Sequence, residues 1–227
     1  MQRNDVYDPY AFSGSERDIH YELFVDLLEG CQNVIDLACG PGRLLQQLEA
    51  RGIWATGVDR DAEAITVCRE AGLQVKQADV FEYCRQHSDP TMDGVAMLHL
   101  VEHFPAEQGL ELLRLAWDML EPGGRLLVVT PNFDNPRVAR ESFWLDADHV
   151  RPYPRLLLAE TLKLLGASDV VSGDNPGPRR DFYARVRRGQ VRTAASGIKQ
   201  FIQNGFSLKF LAGDTYALAI KPKPIEP

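Results

Sequence analysis

The sequence predicts an α/β protein built on a doubly wound, mostly parallel sheet, and three observations predict it. Short apolar runs alternate with amphipathic helical stretches between residues 20 and 132. A glycine turn, Gly40-Pro41-Gly42, follows the first apolar run. The next two runs each end in a carboxylate, Asp59 and Asp79. Strand runs separated by helices form βαβ units, and right-handed crossovers then place helices on both faces of a parallel sheet.

The elements follow in order. NVIDLA (33–38) reads as a buried strand and GRLLQQLEARG (42–52) as an amphipathic helix closed by Gly52. WATGVD (54–59) is the next strand, and AEAITVCREAG (62–72) is a helix stopped at Gly72. QVKQAD (74–79) is a short third strand, followed by VFEYCRQH (80–87). GVAMLHL (94–100) is the fourth, AEQGLELLRLAWDML (106–120) a long helix, and GGRLLVVTP (123–131) a fifth strand after the turn EPGG. The stretch 133–154 reads as a loop-like insertion, RLLLAETLKLLGA (155–167) as a helix and SDVVSG (168–173) as a strand. TYALAIKP (215–222) is a returning strand, so an antiparallel hairpin closes a seven-stranded sheet. One domain over 1–227 is expected, with 133–154 and 176–206 as insertions forming the acceptor side.

Composition narrows the function. The 227 residues carry a net charge of -7, which disfavours a general nucleic-acid binder. The four cysteines form no CxxC pair, so neither a disulfide framework nor a cysteine zinc site is expected, and a reducing cytoplasm suits them. The N-terminus lacks the apolar core of a signal peptide, and no apolar run approaches the roughly 20 residues that span a bilayer. Nothing in the chain specifies an oligomeric state.

VIDLACGPGRLL (34–45) is the most informative stretch. Strand, glycine turn and helix make a nucleotide-type crevice at the C-terminal edge of a parallel sheet. A dinucleotide fingerprint would need a glycine where Leu45 stands, and a phosphate-binding P-loop would need Lys-Ser/Thr after the glycines. Asp36 before the turn suits a cationic ligand better than a pyrophosphate. Asp59 is placed to accept from ribose hydroxyls, and Asp79 from the exocyclic amine of a base. A ligand with ribose, adenine and positive charge but no phosphate fits: S-adenosylmethionine (SAM).

These residues carry a resemblance. Over roughly residues 15 to 132 the chain resembles the class I SAM-dependent methyltransferases, whose sheet is Rossmann-like. DLACGPG is similar to their D-x-G-x-G-x-G loop, with Ala38 in place of the first glycine. GVDRD resembles the ribose-binding motif, QADVFEY the adenine-contacting motif, and PGGRLLVVTPN the fifth-strand motif. The resemblance implies cofactor contacts at Asp36, Ala38, Gly40, Gly42, Asp59, Arg60, Asp79, Val80 and Leu98. More narrowly, FSGSERDI (12–19) and FWLDADHVRPYP (143–154) resemble segments of bacterial surface-glycan methyltransferases of the O-antigen type, which implies a sugar or glycan hydroxyl as acceptor.

HLVEHFP (99–105) lies just past the fourth strand, where the acceptor must meet the methyl group. A hydroxyl is a weak nucleophile that needs a proton acceptor or a metal. If the chain turns helical after Leu100, His99 and His103 share a face, with Glu102 beside them. HLVEH is similar to the E-x-x-E-H run of ubiquinone-pathway O-methyltransferases and of RNA 3′-terminal 2′-O-methyltransferases. The second resemblance implies a divalent-metal set of His99, Glu102, His103 and His149, made softer than a magnesium site by His99. Without a metal, His149 or His103 is the candidate general base, with Glu102 as partner. A purely structural role also stays open, with Glu102 capping the next helix.

Two further segments bear on the acceptor. Phe143, Trp144, Asp146, Asp148, His149, Arg151 and Tyr153 combine rings with charged hydrogen-bonders, which suits a sugar; a loop pinned by its aromatics is the alternative. The arginines of PRRDFYARVRRGQVR (178–192) suit a phosphate group or a solvated face. A methyltransferase acting on a glycan or other small hydroxyl acceptor is the leading expectation. A phenolic, quinone-like acceptor, an RNA terminus, and a non-catalytic SAM-fold module are the alternatives.

Overall fold

The structure, a computed structural model, describes residues 14–175 and 213–224. The arginine-rich stretch 178–192 and the expected 176–206 insertion lie outside the described residues. The sheet has seven strands: β1 (Asn33–Leu37), β2 (Trp54–Asp59), β3 (Val75–Gln77), β4 (Met92–Leu98), β5 (Leu120–Pro131), β6 (Asp169–Asn175) and β7 (Asp214–Ile220). Their order is β3-β2-β1-β4-β5-β7-β6. The first five run parallel, and β7 is antiparallel to both β5 and β6. This is the doubly wound α/β sheet with a closing antiparallel hairpin that the sequence predicts. The order reverses between β1 and β4, which opens a crevice at the C-terminal ends of those strands.

The central strands read as apolar runs because both of their faces are covered. Side chains alternate across a strand, so neighbours feed two different cores. Ile35, Leu37, Val95, Met97, Leu126 and Val128 pack on one side, with Leu112, Leu113 and Ala116 of α5 (Ala106–Asp118) and Leu158 and Leu162 of α7 (Arg155–Leu164). Val34, Ala96, Leu127 and Val129 face the other way. They meet Phe24 and Val25 of α1 (Gly14–Leu27) and Leu44, Leu45 and Leu48 of α2 (Arg43–Ala50). Asp61 starts α3 (Ala62–Glu70) by accepting from the Glu63 N–H at 2.9 Å. Asp79 starts α4 (Val80–Gln86) in the same way.

Several expected boundaries shift. β4 ends at Leu98, not residue 100, because the backbone changes hand at His99, where φ is +52°. β5 begins at Leu120, and the EPGG turn is absorbed as an irregularity opposite β4, where Met92 faces Leu120 but Gly94 faces Arg125. The 133–154 insertion is not all loop. It holds one π-helical turn (Val138–Ser142) and a short helix, α6 (Phe143–Leu145). The third strand is only three residues long. No described helix is long and apolar enough to cross a membrane.

Candidate active site

The loop after β1 is shaped by backbone conformation. Ala38, Gly40 and Gly42 have φ of +63°, +50° and +77°, so three of five consecutive residues lie in the left-handed region. Gly42 is confined twice over: a Cβ there would sit 2.5 Å from Leu73 Cδ1 and 2.9 Å from Cys68 Sγ. Ala38 holds a conformation that costs a residue with a Cβ about 1 kcal/mol. The loop is tied to β2, since the Ala38 and Cys39 N–H groups donate to the Val58 carbonyl at 2.8 and 3.1 Å. The Gly40 N–H donates to Asp59 Oδ2 at 2.8 Å, and the Asp61 N–H to Asp59 Oδ1 at 2.8 Å. Asp59 is thereby fixed at the rim of the crevice, with lone pairs left on both oxygens. Asp36 lies beneath the loop, and burial, with Asp59 adding to it, pushes its carboxyl up to about 7.

Asp36, Ala38, Gly40, Gly42, Asp59 and Leu98 come together at the C-terminal ends of β1, β2 and β4. Asp79 follows β3 and caps α4, with the Phe81 and Glu82 N–H groups both donating to Oδ1, at 2.9 and 3.2 Å. Oδ2 takes neither bond. Val80 is buried beside it, and the Arg60 side chain is exposed.

Of the residues expected on the acceptor side, Glu102, His103 and His149 come together, and His99 joins a second group. After His99 the chain makes a single 3₁₀ turn, Val101–His103, in place of an α-helix. With three residues per turn and a change of hand, His99 and His103 no longer share a face. Two groups form where one set of four was expected. Glu102, His103 and His149 each offer a ligand atom within 4.8 Å of the others, and so do His20, His99 and Asp214. His99 bridges the two groups, with Nδ1 3.3 Å from Glu102 Oε1 and Nε2 3.5 Å from Asp214 Oδ2. His20 Nε2 is 2.9 Å from the same Asp214 oxygen.

The first group is well specified. His103 Nδ1 is 3.1 Å from the Asp148 carbonyl and His149 Nδ1 is 2.7 Å from the Phe143 carbonyl. A carbonyl can only accept, so both Nδ1 atoms carry the proton and both Nε2 atoms keep a lone pair when the rings are neutral. The ring centroids are 4.8 Å apart. Glu102 is fully buried, and its Oε2 has no hydrogen-bond partner. Its side chain does not cap α5. Instead its main-chain carbonyl accepts from the Val150 and Arg151 N–H groups at 2.9 and 3.0 Å, which pins the insertion onto the 3₁₀ turn.

In the second group burial opposes charge on His99, but Asp214 and Glu102 override it and lift the imidazole to about 10. Burial also works against the Asp214 carboxylate. His99 and His20 overcome that and hold it well below the usual carboxylate range. His20 and Asp214 escaped the sequence reading, because no local spacing joins a helix near one end to a strand near the other.

The insertion adds a wall of rings. Phe143 packs against His149 and Trp144 at centroid distances of 4.5 and 4.9 Å. Trp144, Leu145 and Val150 are exposed. The Arg151 guanidinium stands 5.3 Å from the centre of the buried Tyr153 ring.

Residues 18–143, more than half of the chain, match the sequence family described as "Methionine biosynthesis protein MetW". The chain belongs to that family. Beyond MetW, a ubiquinone biosynthesis O-methyltransferase of Aeromonas salmonicida is 32% identical over 112 residues, covering 47% of this chain and 45% of the relative. A trans-aconitate 2-methyltransferase of Mycobacterium tuberculosis is 33% identical over 138 residues, 58% of this chain and 49% of the relative. The match to this MetW-family chain thus spans about half the length of these relatives. Among solved structures, a SAM-dependent methyltransferase from Archaeoglobus fulgidus superimposes with a TM-score of 0.72 at 24% identity, covering 92% of this chain and 95% of that one. The fold is that of the class I SAM-dependent methyltransferases.

Proposed function

We propose that this MetW-family chain is a SAM-dependent methyltransferase acting on a hydroxyl of a small acceptor, with a sugar or glycan end as the acceptor class. The observation that carries the reading is a juxtaposition. The crevice built by Asp36, Ala38, Gly40, Gly42 and Asp59 lies on the sheet edge from which the Glu102–His103–His149 group extends. The left-handed loop, the fixed Asp59 and the Asp79 oxygen that takes no capping bond suit a nucleoside carrying a sulfonium. SAM, when bound, supplies an electrophilic methyl carbon.

The chain's own residues supply alignment and a proton acceptor. His149, its Nδ1–H anchored on the Phe143 carbonyl, presents the Nε2 lone pair to the acceptor hydroxyl and takes its proton as the oxygen attacks. Buried Glu102 stabilises the positive ring that results, with His103 beside it. The insertion 133–154 excludes water and forms the acceptor wall, and residues 1–227 act as one domain. Four free, buried thiols suit a reducing, cytoplasmic setting.

A second reading replaces proton transfer by a metal. Two Nε2 lone pairs and the partnerless Glu102 Oε2 are the donor set of a divalent transition-metal site, which would polarise the acceptor oxygen. A phenolic, quinone-like acceptor is favoured by the exposed Trp144, Leu145 and Val150 and by the ubiquinone-pathway relatives.

The test is transfer of a labelled methyl group from SAM to panels of free sugars, glycans and catechol-type phenols, each with and without a chelator. Transfer to a sugar hydroxyl that survives chelation supports the first reading. Transfer to phenols alone overturns the glycan assignment, and transfer lost on chelation overturns His149 as base. A chain that methylates nothing and fails to bind S-adenosylhomocysteine is a methyltransferase fold without the chemistry.

A further inference from the structure

We propose that His99 is a positioning residue: bridged between Asp214 and Glu102, it sets the Glu102 carboxylate against His103 and His149 and ties that group to α1 through His20. The inference depends on the proposed function only in calling the His103–His149 group the acceptor side.

Four side chains from three separate stretches form one chain of contacts. His20 belongs to α1, Asp214 opens β7, His99 follows β4 and Glu102 lies in the 3₁₀ turn. The contacts run 2.9 Å from His20 Nε2 to Asp214 Oδ2, 3.5 Å from there to His99 Nε2, and 3.3 Å from His99 Nδ1 to Glu102 Oε1. Both carboxylates are fully buried, where an anion needs a partner cation, and His99 stands between the two.

The backbone shows what this placement demands. His99 adopts φ +52°, uncommon for any residue but glycine, with its N–H donating to the Val129 carbonyl of β5 at 2.9 Å. Held by Oε1 on His99, Glu102 cannot rotate freely, and its carboxylate belongs to the group with His103 and His149. Asp214 and His20 serve the acceptor side without belonging to it, because they fix the ring that fixes Glu102. α1 also anchors here through its main chain, since Asn175 Nδ2 donates to the His20 carbonyl at 2.9 Å.

The experiment reads the side-chain nitrogen resonances of the histidines in the full chain by ¹H–¹⁵N correlation, at one fixed pH. Asp214→Asn, His99→Asn and the double variant are compared. Asparagine tolerates the left-handed backbone at 99, so the substitution removes the ring without forcing a new fold of the loop. The inference predicts that Asp214→Asn shifts the ring signals of His103 and His149, which belong to the other group. The double variant should move them no further than His99→Asn alone, the mark of residues acting in series. Signals of His103 and His149 that stay put in Asp214→Asn, with only a lowered melting temperature, would reduce the contacts to a structural ion pair and overturn the inference.

If Asp214→Asn does not fold, His20→Gln tests the far end of the same chain, and unmoved His103 and His149 signals there overturn it equally. S-adenosylhomocysteine binding is recorded alongside. Its absence in the unaltered chain sinks the methyltransferase reading but leaves the ring signals to judge the positioning role.

Discussion

The proposed cofactor crevice and the proposed acceptor side sit on one sheet edge but are built in opposite ways. The crevice comes from a contiguous loop whose geometry is set by backbone hand, with Asp59 locking it from the next strand. The acceptor side comes from side chains far apart in sequence, Glu102, His103 and His149 in front and His99, Asp214 and His20 behind. A site written in backbone leaves a motif. A site written in tertiary contacts leaves only scattered polar residues in a sequence.

Substitutions separate the two regions. His149→Gln should lower turnover by about 100-fold or more, the usual contribution of a general base, while affinity for S-adenosylhomocysteine stays within about twofold. Steady-state kinetics beside calorimetry would show the split. A matched loss of affinity and turnover would merge the two regions into one. Asp59→Ala should do the reverse and weaken S-adenosylhomocysteine by about 10- to 100-fold, because it removes the proposed ribose acceptors and releases the Gly40 N–H.

Smaller effects sharpen the account of the loop. Gly42→Ala should destabilise the fold by about 1–3 kcal/mol, since the methyl group meets Leu73 and Cys68 on top of the left-handed φ. Ala38→Gly should act the other way and relieve up to about 1 kcal/mol of conformational cost, less the added freedom of the unfolded chain. Denaturant melts of both variants would check the signs.

Asp36 adds a pH term. Its carboxyl is raised from 3.8 to about 7 in the folded protein, so the folded state holds a proton that the unfolded state gives up. That contribution is fully present below the unfolded value and is lost as pH rises through about 7. The melting temperature of Asp36→Asn should therefore fall less than that of the unaltered chain between about pH 5 and pH 8. Parallel curves would contradict the assignment.

Legibility in the sequence followed the same division. β2 was readable residue for residue, because Trp54–Asp59 is bounded by Ile53 after a glycine stop and by the Asp59 carboxylate. The doubly wound arrangement followed from the alternation of runs and from right-handed crossovers, while the strand order is read from the structure. β4 was drawn two residues too late at both ends; at its close Leu100 extends the apolar run and nothing in it announces the left-handed turn at His99. Helix α1 was not read, because its apolar residues are mixed among charged ones with no clear stripe. Of the expected metal set, Glu102, His103 and His149 come together, while His99 joins His20 and Asp214, a grouping beyond any local spacing.

The most direct test of the two-region account is a calorimetric titration of S-adenosylhomocysteine into the unaltered chain, Asp59→Ala and His149→Gln. The account predicts micromolar binding to the first and third and binding about 10- to 100-fold weaker to the second. Binding by none of the three would contradict the crevice assignment, and equal binding by all three would contradict the role of Asp59 in holding the cofactor.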